Sequence, residues 1–221
     1  MDRGNKSTLA QSGLKPKDLV GIPWMVAFAL RADGWYLRSE IIWYKRNGMP
    51  ESVEDRPGRA HEQIFLLAKR SRTYYYDAEA IKEAGAQNKW GKYSNPKYGS
   101  GKNGKMQSAK DMSKEEYIGK YERVHKRTVW DVPTKPSATA HFAVFPDDLI
   151  EPCIKAGSRE GDTVLDPFAG SGTTLEVAER LGRNSIGIEL NEEYVHGIIE
   201  PRMAKVNPLF AVAPITSTNG V

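Results

Sequence analysis

The feature that most constrains the fold is an apolar run that enters a glycine turn, leaves it as a helix, and precedes a second apolar run ending in an acid. Residues 164–174 read Val-Leu-Asp-Pro-Phe-Ala-Gly-Ser-Gly-Thr-Thr, and Glu189 closes the second run. Gly170 and Gly172 suit a tight turn because a side chain at either position would bar a ligand from close approach to the backbone. An acid at the end of the second strand can accept hydrogen bonds from both hydroxyls of a ribose. The pattern predicts a nucleoside-cofactor site, although an ordinary strand–turn–helix corner has the same outline.

Apolar periodicity around this segment predicts alternating strands and helices. Strands are predicted over residues 163–166 and 184–190, and helices over 146–156, 173–181 and 192–205. Because this order joins parallel strands by right-handed crossovers, the C-terminal half predicts an α/β sheet.

The N-terminal half is predicted to contribute a helix and an antiparallel pair of strands. Apolar spacing predicts a helix over residues 17–32 that ends near Gly34. Pro23 is the one residue in this range that disfavours a helix interior. Strands over 36–45 and 62–68 follow, separated by a loop containing proline and glycine. Together they indicate an antiparallel pair at the edge of a sheet.

The positive charge of the chain is concentrated in one insertion. Between Lys82 and Arg127 there are twelve Lys or Arg residues and five Asp or Glu residues, a net charge of +7 (twelve minus five) against +4 for the whole chain. Basic residues interleaved with aromatic ones are typical of a surface that follows phosphates and touches bases. A disordered polar loop has the same composition, because little of it can be buried. The candidate DNA contacts are Lys89, Lys92, Lys97, Lys102 and Lys105.

The remaining composition argues against several classes of protein. A single cysteine, Cys153, rules out a disulfide framework, fits a reducing cytoplasm, and is expected to be a small buried hydrophobe on a helix. The four histidines and this cysteine lie too far apart for a zinc cluster, so no metal site is expected. The first residues are polar and no apolar run approaches the length of a membrane span, so neither a signal peptide nor a membrane segment is expected.

The glycine turn resembles motif I of the amino-methylating DNA methyltransferases, which transfer a methyl group from S-adenosylmethionine to adenine N6 or cytosine N4. Residues 22–35, 40–43, 61–67 and 141–146 share the resemblance. Their order is that of the permuted branch, in which the catalytic half precedes the cofactor half. The resemblance implies an α/β, Rossmann-like methyltransferase sheet with a basic target-recognition insertion. It also implies double-stranded DNA as partner, S-adenosylmethionine as cofactor, and a cytoplasm of bacterial or phage type.

The resemblance also assigns residues to the cofactor. The glycine turn would wrap the methionine and ribose parts, Glu189 would bind the ribose hydroxyls, and residues 143–146 would flank the methionine end. Two interpretations stay open for Ser171 and Thr173, which either contact the cofactor through their hydroxyls or cap the following helix. The expected cofactor-binding residues are Asp166, Pro167, Phe168, Ala169, Gly170, Ser171, Gly172, Thr173, Glu189, Ala143, Phe145 and Pro146.

The catalytic element of that family is absent from this sequence. The family uses a tetrapeptide, Asp/Asn/Ser-Pro-Pro-aromatic, whose polar side chain holds the target amine while its aromatic ring stacks on a flipped base. No Pro-Pro pair occurs in the chain, and Asn95-Pro96-Lys97-Tyr98 is a poor imitation in the wrong context. No catalytic residue is therefore assigned. The sheet is expected to be incomplete at its centre, with edge amides and apolar faces exposed.

Two functions remain open. The chain is the C-terminal portion of a DNA amino-methyltransferase, or a non-catalytic remnant or subunit that holds DNA and cofactor and needs a second chain to supply the catalytic motif. A homodimer is the other protein partner considered. A methyltransferase of RNA or of a small molecule is a third possibility, and the long basic insertion argues against a small-molecule substrate. The expected organisation is a tail (1–13), the remainder of the catalytic subdomain (14–81), the target-recognition insertion (82–130), the cofactor-binding subdomain (131–205) and a second tail (206–221).

Overall fold

A computed structural model of the chain describes residues 13–84, 123–135 and 145–206. Among these residues, one helix and five strands come first, helices and strands alternate from residue 147 onward, and a π-helical segment interrupts the last helical run. The elements are α1 (Ile22–Ala32), β1 (Tyr36–Tyr44), β2 (His61–Ala68), β3 (Glu83–Ala84), β4 (Arg123–Val124), β5 (Val129–Asp131), α2 (Asp147–Gly157), β6 (Thr163–Asp166), α3 (Thr173–Arg180), β7 (Asn184–Gly187), α4 (Glu192–Tyr194), the π-helical segment (Val195–Ile199) and α5 (Glu200–Val206).

Helix α1 begins later than its sequence predicts. Lys17 and Gly21 have φ angles of +72° and +73°, which a right-handed helix does not allow, so the prediction of a helix from residue 17 was wrong. Pro23 lies in the first turn, where an N–H group would have no helical partner, and it is therefore a favourable residue there. The predicted end is confirmed, because Gly34, with φ +94°, follows the last turn and donates its N–H to the Arg31 carbonyl at 3.2 Å.

The first sheet has three strands in the order β2-β1-β5. β1 and β2 pair antiparallel, as predicted, and β5 pairs parallel with the other edge of β1. β5 carries Trp130, which is buried in a core cluster with Trp43 of β1. The Trp43 indole N–H donates to the Val132 carbonyl at 2.7 Å. Residues 129–130, which the sequence places at the end of the insertion, therefore belong to the sheet.

The first and last described parts of the predicted insertion include two short strands, β3 and β4, that lie side by side. β3 pairs antiparallel with β4, so that Glu83 lies opposite Val124. An ion pair between Arg127 and Glu83, and a bond of 2.8 Å from the Arg123 guanidinium to the Lys82 carbonyl, brace this two-stranded stem. The five candidate DNA-binding lysines, at positions 89–105, lie outside the described residues.

The second sheet consists of β6 and β7, which pair in parallel as predicted, although β7 ends at Gly187 rather than at residue 190. Helix α2 connects the two sheets through its two apolar sides. Leu149 packs into the cluster around Trp43 and Trp130, whereas Ile154 packs against Val177 of α3. Two of the core clusters thus share one helix, and a third cluster, of Ala169, Leu175 and Ile199, lies under the turn before α3.

No strand joins the two sheets within the described residues. Leu165 of β6 and Ile186 of β7 are cross-strand partners, and they are 58% and 54% exposed. Parallel strands are ordinarily covered on both faces, so this exposed pair marks a face without its cover among the described residues. The separation of the sheets agrees with the expectation of an incomplete centre.

No described helix is long and apolar enough to cross a membrane.

Candidate functional site

The glycine turn (residues 167–172) lies across the carboxyl ends of β6 and β7. Backbone pairing continues past the strands, because Ile188 N–H donates to the Asp166 carbonyl and Ala169 N–H donates to the Ile188 carbonyl, both at 2.9 Å. Gly170 and Gly172, with φ angles of +54° and +77°, then turn the chain into α3. Open α/β sheets bind ligands at this edge, so the turn lies where a cofactor site is expected, and its role as that site stays a prediction.

Glu189 is held by the glycine turn and by its own loop. Its Oε2 atom accepts the Gly170 N–H at 2.8 Å, and its Oε1 atom accepts the Asn191 N–H at 2.9 Å. A carboxylate can accept about four hydrogen bonds. The two amides therefore orient the carboxylate beside the glycine turn, and its binding of ribose hydroxyls stays a prediction.

Apolar side chains project from the turn and from the loop after β7. Phe168 and Leu190 are 87% and 96% exposed, and Ile188 is also exposed. Asp166 fixes the start of the turn, because its Oδ1 atom accepts the Phe168 N–H at 3.0 Å. The sequence analysis identified Phe168 but missed Ile188 and Leu190. Both could have been found from their positions on either side of Glu189. Exposed apolar groups beside an oriented carboxylate suit a ligand with a flat ring and a sugar.

The helix-cap interpretation of Ser171 and Thr173 was wrong, whereas contact of their hydroxyls with the cofactor stays a prediction. The N-cap of α3 is Gly172, and no side chain caps the helix. Both residues are buried, and their hydroxyl oxygens lie 3.3 Å apart. Each hydroxyl also receives a hydrogen bond from the Arg202 guanidinium, at 3.4 and 3.2 Å. The hydroxyls are thus hydrogen-bonded to each other and to Arg202 within the protein.

The segment predicted to flank the cofactor is described only in part. Ala143 lies outside the described residues. Phe145 packs against the cluster of Trp43 and Trp130, and Pro146 is buried directly before α2. Both residues therefore have structural roles, and their contact with a cofactor stays a prediction.

Two residues that the sequence did not single out contact the glycine turn from the C-terminal helix. Ile199 packs against Gly172, where a β-carbon would lie 3.3 Å from the Ile199 Cγ1 atom. Arg202 donates to the Ser171 carbonyl at 3.2 Å and forms an ion pair with Glu176 of α3. Only tertiary packing brings these groups together, and no local pattern marks Arg202.

No described group of three or more His, Cys, Asp or Glu side chains is arranged to hold a metal ion.

Comparison with known proteins identifies the family. A family model described as DNA methylase, N6_N4_Mtase, matches residues 2–200. The type II methyltransferase M.Cfr9I of Citrobacter freundii is 50% identical over 183 residues, which are 83% of this chain and 50% of that protein. The type II methyltransferase M.SmaI of Serratia marcescens is 50% identical over 182 residues, 82% of this chain and 51% of that protein. The chain thus spans about half the length of these relatives.

Solved structures share the fold. The crystal structure of the M1.HpyAVI–SAM complex matches with a TM-score of 0.54 at 22% identity, covering 84% of this chain and 71% of that chain. The cytosine-N4-specific PvuII DNA methyltransferase matches with a TM-score of 0.56 at 17% identity, covering 89% and 65%. The likeness shows a Rossmann-like α/β sheet, which confirms the predicted fold class. The family model and the relatives at 50% identity identify the family as well as the fold. This chain belongs to the N6/N4 DNA methylase family.

Proposed function

We propose that this chain is the cofactor-binding portion of a site-specific DNA methyltransferase. It binds S-adenosylmethionine at the carboxyl ends of β6 and β7, and the methyl group goes to the exocyclic amine of adenine (N6) or cytosine (N4) in double-stranded DNA. The observation that carries the proposal is the Glu189 carboxylate, which the Gly170 N–H holds at 2.8 Å beside the glycine turn.

The residues at this edge fit S-adenosylmethionine. The cofactor has two ribose hydroxyls, which suit the oriented Glu189 carboxylate, and an adenine ring, which suits the exposed Phe168 and Leu190. Gly170 presents backbone without a side chain, so a ligand can approach it closely. When bound, the cofactor supplies the methyl group from its sulfonium. Solved structures of this fold support the assignment, since M1.HpyAVI was crystallised with SAM.

The chain itself positions the methyl donor, whereas the group that holds the target amine comes from elsewhere. No Pro-Pro pair is present in the sequence, so this chain does not contain the family's tetrapeptide. The relatives at 50% identity are about twice as long as the matched region. We propose that another polypeptide segment supplies the tetrapeptide and covers the exposed Leu165–Ile186 face. That segment is the remainder of the same protein or a second chain.

A second candidate is a non-catalytic remnant that binds DNA and the cofactor, and the missing tetrapeptide favours it. Addition of a polypeptide that carries the tetrapeptide distinguishes the two candidates, because a methyltransferase portion gains activity and a remnant does not. The basic insertion supports DNA as the partner of both. The bacterial relatives and the single cysteine support a cytoplasmic location.

Titration calorimetry of S-adenosylmethionine with the 221-residue chain tests the proposal. We expect stoichiometric binding by the unmodified chain and none by Asp166→Ala or Gly170→Val. The matched control is Gly182→Val, because Gly182 has φ +74° in the turn after α3, beside the amino ends of β6 and β7 and away from their carboxyl ends. Unchanged affinity in Asp166→Ala and Gly170→Val would defeat the site assignment, and an unmodified chain that binds no cofactor would defeat the function.

A further inference from the structure

Arg202 joins four groups around the glycine turn. Its Nη1 atom donates to the Ser171 carbonyl at 3.2 Å, to the Ser171 hydroxyl at 3.4 Å and to the Thr173 hydroxyl at 3.2 Å. Its Nε atom forms an ion pair with Glu176, one turn into α3. Nη1 carries two N–H groups, which its three acceptors share, and Nε supplies a third N–H to Glu176, so the planar guanidinium can hold all of these acceptors at once.

The same helix presses on the turn at a second point. Ile199, the last residue of the π-helical segment, lies three positions before Arg202 and therefore on the same side of the helix. It packs against Gly172 and belongs to a buried cluster with Ala169 and Leu175. π-Helical turns are rare and are frequent at functional sites. The C-terminal helix thus contacts the turn through an apolar group and a charged group.

Arg202 is hydrogen-bonded to Ser171, the residue directly after the glycine that is bonded to Glu189. Gly170 donates its N–H to Glu189, and the following residue, Ser171, offers its carbonyl and hydroxyl to Arg202. The turn is therefore bonded on successive residues to the acid after β7 and to the C-terminal helix. A binding loop that is ordered before its ligand arrives costs less free energy to order on binding.

We infer that Arg202 is a positioning residue, which preforms the glycine turn for S-adenosylmethionine without touching the cofactor. The inference rests on the proposed function, since it assigns a role within that site. Lysine cannot replace it fully, because an ammonium group keeps the charge opposite Glu176 but lacks the planar fork that also reaches Ser171 and Thr173.

Arg180 provides a matched control. Arg180 and Arg202 both face Asp147, at 3.7 and 3.8 Å, so removing either one takes a guanidinium from the same carboxylate. Arg180 also pairs with Glu151 of α2 at 3.2 Å. No described contact joins Arg180 to the glycine turn. A loss of affinity that is specific to Arg202 therefore reports on the turn rather than on surface charge.

The test is calorimetric titration of S-adenosylmethionine into the full chain and into Arg202→Ala, Arg202→Lys and Arg180→Ala, well below their melting temperatures. We expect the dissociation constant to rise about tenfold in Arg202→Ala and by less in Arg202→Lys, at unchanged stoichiometry, because charged hydrogen bonds of about 1.4 kcal/mol or more are lost. Arg180→Ala should bind like the unmodified chain. Partial unfolding would lower the stoichiometry, so the two effects separate.

The inference is overturned if the unmodified chain binds the cofactor and Arg202→Ala binds equally well. It is also overturned if Arg180→Ala weakens binding as much as Arg202→Ala, because the effect would then be general electrostatics. Absence of binding by the unmodified chain would instead overturn the proposed function, and the inference with it.

Discussion

Gly187→Ala is the substitution whose effect the structure defines most sharply. A methyl group at this position would lie 2.6 Å from Cδ1 of Leu175, and 3.1 Å from both Cδ2 of Leu175 and Cβ of Ala169. Its φ is not in the left-handed region, so alanine suffers no backbone strain there. The effect is therefore one of packing between the end of β7 and the glycine turn.

The size of the effect follows from how freely Leu175 can move. Leu175 is buried in a cluster with Ala169 and Ile199, so its side chain cannot swing into solvent. Overpacking of a buried site costs about 1–3 kcal/mol. For a domain of this size each kcal/mol lowers the melting temperature by about 2–4 °C. We therefore expect Gly187→Ala to melt about 2–12 °C lower and to bind S-adenosylmethionine more weakly, because Ala169 is displaced.

Thermal unfolding by circular dichroism measures the effect, with Gly157→Ala as the control. Gly157 ends α2, and a methyl group there meets open space. Leu175→Val removes the terminal carbons that clash, so the double variant Gly187→Ala/Leu175→Val should be less destabilised than the sum of the single variants. Strict additivity, or a melting temperature for Gly187→Ala equal to that of Gly157→Ala, would refute the packing argument.

Three further predictions concern the acid, the insertion and the cysteine. Glu189→Gln should weaken S-adenosylmethionine binding about tenfold in calorimetry, since an amide NH₂ group would face a backbone N–H, whereas the exposed Glu193→Gln should have no effect. Replacing the five insertion lysines by alanine should weaken DNA binding and flatten its dependence on salt, and an unaltered slope would mean that they do not contact phosphate. Burial raises the pKa of the Cys153 thiol from 9.0 to about 11, so the neutral thiol favours the folded state. The stabilisation from the neutral thiol is complete below pH 9 and is lost between pH 9 and 11. Over this range, denaturant unfolding should show that the free energy of unfolding falls by about 2–3 kcal/mol more in the unmodified chain than in Cys153→Ala.

The local parts of the site could be predicted from the sequence, because local chemistry determines them. Gly170 and Gly172 adopt the positive φ angles that a tight turn demands, and Glu189 follows the second strand as expected. The β1–β2 pair was predictable for the same reason, since two apolar runs flank a loop rich in turn residues.

Contacts between distant parts of the chain could not be predicted in this way. β5 is three residues long, and its pairing with β1 depends on the burial of Trp130 rather than on a strand pattern. Helix α1 lacks residues 17–21 because Lys17 and Gly21 take left-handed conformations that apolar spacing does not reveal. Arg202 was missed because its acceptors, Ser171 and Thr173, lie in a different element.

The most direct test of the central claim combines cofactor retention and methyl transfer in one sample. The purified 221-residue chain is incubated with S-adenosylmethionine labelled in its methyl group and with unmethylated double-stranded DNA, and the nucleosides are then analysed. The predicted result is retained cofactor without labelled DNA, followed by label in N6-methyladenine or N4-methylcytosine once a polypeptide carrying the Pro-Pro tetrapeptide is added. Label in the DNA from this chain alone would contradict the claim that its catalytic element lies elsewhere. Failure to retain the cofactor would contradict the site itself.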